Sequence, residues 1–197
     1  PMEITMTKSM TITAFFDPIE KTYVPDDNFE KALIDLGLDR LMDDHVFDLY
    51  VSEVDNLNLS GLGIKDITGI EAFTNLESLD CSNNDLNTID LSKNIELGNL
   101  DLSGNSIEDI DLTNNKNLYT LILSDNSVKR LDISHLTEWL NLWAVNNNFT
   151  CVQVNEDQLN SDHTLDDCVS PPYLPPSPFL NCIIVDEGVT FSLNCDN

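Results

Sequence analysis

From residue 76 to residue 154 the apolar positions of the chain return at a fixed interval. Leu76, Leu79, Cys81, Leu86, Ile89 and Leu91 are followed 21 residues later by Leu97, Leu100, Leu102, Ile107, Ile110 and Leu112. The set returns as Leu118, Leu121, Leu123, Val128, Leu131 and Ile133, and again as Trp139, Leu142, Ala144, Phe149, Val152 and Val154. Polar residues keep the phase too, with Asn84, Asn105, Asn126 and Asn147 at one position of each copy. Self-similarity at a short fixed period predicts a solenoid of stacked coils.

A coil this short cannot bury its own apolar face, so stability must come from stacking on its neighbours. The segments LESLDCS, LGNLDLS, LYTLILS and WLNLWAV alternate apolar and polar residues, as a strand with one buried face does. The repeated asparagine closes the turn after each strand, its side chain bonding backbone groups that a bent coil leaves unpaired. A second alternating stretch, TIDLS, DIDLT and RLDIS, predicts an opposite wall. No amphipathic pattern of helical length fits between the walls, so the convex side is expected to be extended or short 3₁₀ segments. Trp139 takes the place of a leading leucine and is expected in the core.

The flanks break the period. Residues 1–17 alternate across a short Lys-Ser turn, a β-hairpin pattern. Residues 22–37 predict a helix with Asp26 or Asp27 as N-cap. Asp27 and Glu30 have capping-box spacing, Phe29, Leu33 and Leu36 share a face, and Gly37 is placed to stop it. The helix would cover the open end of the first coil. Residues 38–53 carry Asp39, Asp43, Asp44, Asp48 and Glu53 but lack the glycine and the alternation of an EF-hand loop, so they read as a solvated acidic segment with no metal. Residues 54–75 form an atypical first repeat, with Val54, Leu57, Leu59, Ile64, Ile67 and Ile70 in phase and Leu62 in place of the asparagine. After residue 155 the proline-rich SPPYLPPSPF is expected to be extended, and IIVDEG and VTFSLNC read as short strands around a turn.

The whole pattern, LxxLxLSxNxLxxIDLSxN, resembles a leucine-rich repeat over roughly residues 18–155, and its short period and flanks are similar to secreted bacterial surface proteins of the internalin-like kind. VPDDNFEKAL resembles the N-terminal caps of bacterial leucine-rich-repeat proteins, and residues 1–17 resemble the closing strands of the surface module related to the internalin B-repeat. The resemblance implies an α/β, mostly β, right-handed solenoid of about five coils with a helical N-cap and a disulfide-bonded C-cap. The expected division is a hairpin remnant of a preceding module over 1–17, an N-terminal cap with one helix over 18–53, repeats over 54–155 and a C-terminal cap with a proline-rich insertion over 156–197.

Charge narrows the choice of partner. The net charge is −26, from 35 acidic and 9 basic residues, which argues against a nucleic-acid backbone or an anionic membrane surface. No apolar run is long enough to span a bilayer. Pro1 reads as the cut end of a longer chain, so the lack of a visible signal peptide carries no weight.

Of the 5 cysteines, Cys81 takes the position of Leu102 and Leu123 and reads as a small buried apolar residue. Cys151, Cys168, Cys182 and Cys195 crowd the C-terminal end and read as disulfides, since their spacing and the single nearby His163 do not suit zinc. The resemblance implies Cys151–Cys195 with Cys168–Cys182 nested inside. The residues alone leave Cys151–Cys168 with Cys182–Cys195 open.

No catalytic constellation is present: no GxSxG, HExxH, Walker loop or GxGxxG, and His45, His135 and His163 fall in unrelated segments. His135 stands in for Asn94 and Asn115 as a turn variant. Asp90, Asp111 and Asp132 should stack about 5 Å apart. They are expected to be solvated or bonded to backbone N–H groups rather than to share a cation. The concave face says more. By alternation its outward residues are small and polar in the first coils, among them Asp80, Asn99 and Asp101, and turn apolar at Ile122, Trp143 and Val145, beside Thr120 and Asn141. An apolar patch there predicts a ligand face or a surface covered by the C-cap. The expected function is a non-enzymatic, cofactor-free, monomeric binding module of a secreted or cell-surface protein, recognising a protein partner for adhesion. The alternatives are a glycan stacked on Trp143 or a spacer domain.

Overall fold

The computed structural model describes residues 20–136, 140–160 and 183–195. The expected hairpin of 1–17, Trp139, His163, the proline-rich stretch and the Cys168–Cys182 bridge lie outside the described residues. The described chain forms a mostly β solenoid with two walls of parallel strands.

The concave wall consists of β3 (Asn56–Asn58), β4 (Ser78–Asp80), β5 (Asn99–Asp101), β6 (Thr120–Ile122), β8 (Asn141–Ala144) and β10 (Ile183–Val185), each parallel to the next in that order. The central leucines Leu57, Leu79, Leu100, Leu121 and Leu142 are in register and buried. Cys81 is buried as a free thiol in the second coil. The opposite wall is strand only at its C-terminal end, where β7 (Arg130–Asp132), β9 (Cys151–Gln153) and β11 (Thr190–Ser192) pair in parallel. Earlier coils cross this side in turns, with one 3₁₀ segment at Ile70–Ala72.

Two ladders of polar side chains tie the coils together. Asn126 accepts from the Ile107 N–H (2.9 Å) and donates to the carbonyls of Leu102 (2.8 Å) and Leu123 (3.1 Å). Asn84, Asn105 and Asn147 repeat this arrangement. On the far side the fully buried Asn94 and Asn115 donate to carbonyls of the preceding coil, Ile70 (2.8 Å) and Leu91 (3.0 Å). His135 does the same through Nε2 to Leu112 (2.7 Å), and Gln158, in α3 (Glu156–Asn160), to Ile133 (3.0 Å). The asparagine phase seen in the sequence is therefore backbone satisfaction inside a stack too narrow to pair every group in strands. Asp90, Asp111 and Asp132 each accept the N–H two residues on, from Ser92, Thr113 and Ser134 at 2.9 Å, as expected for local turns.

At the N-terminal end α1 (Asp27–Asp35) lays Phe29 and Leu33 against the first coil. Asp26 is the N-cap: its Oδ1 accepts from Asn28 and Phe29, and its Oδ2 reaches Lys65 N–H (2.9 Å) and Asp66 N–H (3.2 Å) of the first repeat. Two sequence expectations are corrected here. The Asp27–Glu30 capping box does not form, because Asp26 already takes the helix-start amides and Glu30 turns inward, where it is fully buried. Leu36 does not join the apolar face. It falls at the helix C-cap, where the chain turns out through Gly37 (φ 76°), and is 53% exposed. The cap also contains an antiparallel pair, β1 (Lys21–Tyr23) with β2 (His45–Phe47), and a second short helix, α2 (Asp48–Val51).

At the other end residues 183–195 form the two short strands expected around a turn. They lay β10 against β8 and β11 against β9, which makes a further coil. Asp186 between them accepts the N–H groups of Asn146 and Asn147, each at 2.9 Å. The Cys151–Cys195 disulfide fastens this coil to the one before it.

Candidate functional site

The concave wall presents its outward residues in rows, because parallel strands in register align equivalent positions. One row runs Asn58, Asp80, Asp101, Ile122, Trp143 and Ile184 across six neighbouring strands. The chemistry changes along it from amide to carboxylate to apolar. Asp80, Asp101, Ile122 and Trp143 are all half-buried, so each keeps part of its surface toward solvent.

The acidic half is held by local bonds. Asn58 donates to Asp80 (3.2 Å), and Asp80 accepts from the Ser82 N–H (3.0 Å). Asp101 accepts both the Ser103 N–H (2.9 Å) and hydroxyl (2.6 Å). Burial pushes the Asp101 carboxyl above its ordinary value and the Asp80 charge adds to this, while the two Ser103 bonds pull it down. The stack beneath is apolar enough that burial, helped by the charges of Asp80 and Asp101, pushes the Cys81 thiol far up. Cys81 packs there as a small buried apolar residue.

The row beside it runs Asn56, Ser78, Asn99, Thr120 and Asn141. Asn99 donates to the Tyr119 hydroxyl (2.6 Å), and that ring lies over Gly98, where an added Cβ would come within 2.4 Å of Tyr119 Cε1. Asn99 and Thr120 are half-buried, but Asn141 is only 8% exposed and offers little of its amide to a ligand. Val145 is half-buried at the end of the strand. The structure thus brings Asp80, Asn99, Asp101, Thr120, Ile122, Trp143 and Val145 onto one surface and withdraws Asn141 from it.

Sequence reasoning missed two contributors. Ile184 extends the apolar row by one strand; IIV was legible as a strand, but not its register across the insertion that precedes it. Tyr119 is 40% exposed at the rim and lies outside the strand alternation that selected the other residues. Its equivalents in the preceding coils are Glu77 and Gly98, so the contrast in residue type was the available signal. Among the described residues no helix is long and apolar enough to cross a membrane.

No protein-family profile matches the chain, and no curated protein matches it. Solved structures do. The functional domain of InlJ from Listeria monocytogenes, which includes a cysteine ladder, is similar with a TM-score of 0.61 and 27% identity, over 68% of this chain and 31% of its own. The internalin InlF from Listeria monocytogenes is similar with a TM-score of 0.54 and 25% identity, over 87% of this chain and 44% of its own. The chain spans less than half the length of either. These likenesses support an internalin-like leucine-rich-repeat protein.

Proposed function

We propose that this chain is a non-enzymatic binding module of a secreted or surface-attached bacterial protein, and that it recognises a protein partner through the C-terminal half of its concave wall. The observation that carries the reading is the row Ile122–Trp143–Ile184, three apolar side chains on adjacent strands where the first coils place Asn58, Asp80 and Asp101. Aromatic and aliphatic anchors beside a polar rim are the usual make-up of a protein interface. The acidic neighbours Asp80 and Asp101 favour a partner with basic residues at its edge. A sugar would need hydrogen-bonding groups beside the Trp143 ring, and the adjacent Asn141 is closed off.

The test is binding of the purified chain to intact host-cell surfaces and to a glycan array, each with the parent, Trp143→Ala and Ile122→Ser. Saturable, protease-sensitive cell binding that both variants lose supports the proposal. Binding to defined glycans that survives protease treatment of the cells would overturn it in favour of sugar recognition. Cell binding unchanged in both variants would remove this face from the interaction.

A further inference from the structure

We infer that the N-terminal cap holds a divalent cation between Glu30, Asp39 and Asp43. The three come from separate stretches. Glu30 lies on the inner side of α1. The chain turns back after Gly37, with the N–H groups of Leu38 and Asp39 both donating to the Leu33 carbonyl (2.9 and 3.2 Å), and this sets Asp39 beneath the helix. The loop then returns so that the N–H groups of Asp43 (2.7 Å) and His45 (3.3 Å) donate to Glu30 Oε1. One carboxylate oxygen from each of the three residues lies within 4.8 Å of the others. Oxygens that share a calcium ion at roughly 2.3–2.6 Å have this separation.

Proximity of acids is not the whole case. Glu30 is fully buried and Asp39 is 6% exposed, and Glu30 Oε2 and Asp39 Oδ2 have no hydrogen-bond partner. A buried charged oxygen without a donor is costly. A single cation between them satisfies both. Lys21 donates to the outermost carboxylate, Asp43 Oδ2 (3.1 Å), and rests on the Phe47 ring, while Lys31 is paired with Asp35. His45 spends its ring Nδ1 on the Asp43 carbonyl (2.8 Å). Three carboxylates less one ammonium leave the charge that one divalent ion balances. An all-oxygen set selects a hard cation, and ligands borne partly on a loop suit calcium better than the rigid octahedron of magnesium. The sequence reading of residues 38–53 as a solvated acidic segment fails at Asp39, which the turn after Gly37 buries. Glu30, the third carboxylate, lies upstream of that segment on α1.

The test is calorimetry and thermal melting of the full chain, stripped with chelator, then titrated with CaCl2, MgCl2 or MnCl2 against NaCl of equal ionic strength. Calcium at 1 mM is expected to raise the melting temperature by about 5 °C or more, as a site filled well above its dissociation constant does. Asp43→Asn, whose side chain is exposed, should fold as the parent does and bind calcium at least tenfold more weakly. Asp39→Asn should abolish the shift. Two results would overturn the inference. One is a stripped parent that shows no heat and no shift with any of the three ions. The other is calcium binding that is the same in the parent and both variants, which places the ion elsewhere on the acidic surface.

Discussion

Trp143 stands directly across from Ile122 in the concave wall, one coil apart and in register, with both side chains half-buried. Immediately next to Ile122 in its strand, Leu121 points the other way and is fully buried. The two faces of one strand therefore make opposite predictions. Trp143→Ala should weaken partner binding by roughly 2 kcal/mol or more. Its cost in stability should be about 1 kcal/mol, since only part of the ring leaves water. Leu121→Ala should cost roughly 2–5 kcal/mol of stability by opening a cavity in the stack. Urea unfolding beside a binding isotherm for each variant separates the two. Loss of binding by Trp143→Ala that only follows its unfolding would make that ring packing rather than contact.

The asparagine ladder is predicted to depend on donation more than on polarity. Asn126→Asp keeps the acceptor for the Ile107 N–H but loses the amide N–H groups that reach Leu102 and Leu123. Two carbonyls are then left without that donor and a charge is buried. Asn126→Asp should cost roughly 3 kcal/mol or more and should be worse than Asn126→Ala at neutral pH. Lowering the pH should narrow the gap between the two, because a protonated carboxyl can donate once. Equilibrium unfolding of both variants across pH checks the ranking.

The concave aspartates give stability a signed dependence on pH. Asp101 has its folded pKa raised, first by burial and then by Asp80. Its ionised form therefore costs stability above the folded pKa, and the cost is relieved as pH falls through that pKa. Asp101→Asn keeps an acceptor for the Ser103 N–H and removes the charge. It should melt higher than the parent at pH 7, and the difference should shrink as pH is lowered toward about 4. Asp90 and Asp111 act in the opposite sense. Bonds from Ser92 and Thr113 lower their folded pKa values, so their contribution is present above the unfolded value and is lost as pH falls through the folded one. A melting difference for Asp101→Asn that stays constant with pH would show that its charge is not the cause.

The cysteines should divide sharply in peptide mapping. Cys151 and Cys195 should be recovered as one bridged pair, while Cys81 should resist alkylation until the chain unfolds. The bridge closes a sequence separation of 44 residues, worth about 4 kcal/mol in the chain-entropy description. Reduction under native conditions should lower the urea midpoint accordingly. Rapid alkylation of Cys81 in the folded chain would contradict its place in the stack.

The repeats were legible because the same residue types do the same job in every coil. Leu79, Leu100 and Leu121 fill one layer, and Asn84, Asn105 and Asn126 satisfy one set of carbonyls. A period repeated four times averages out local accidents. The ends have no second copy to compare with, and there the reading slipped. Glu30 matched a local capping pattern, yet Asp26 took the helix-start amides and left Glu30 to a loop thirteen residues away. A hint lay in its position between Phe29 and Leu33 on the inner side of the helix. Ile184 was hidden for another reason: strand character is local, but register across an intervening segment depends on where the chain returns, which composition does not encode. Asn141 obeyed the alternation of its strand and is still closed off, so facing outward and being accessible are separate properties.

The bridge from Cys151 to Cys195 also fixes how the chain would respond to a pull. A protein tethered at one end and gripped at the other lengthens as its coils peel away, each residue released adding about 3.4 Å of contour. The stretch closed by the bridge, a sequence separation of 44, cannot add its length while the sulfurs stay joined, which withholds about 150 Å of extension. Load must pass through the bond itself instead of through β10 and β11. Ile184 would then keep its place beside Trp143 under tension that had already begun to strip coils from the other end.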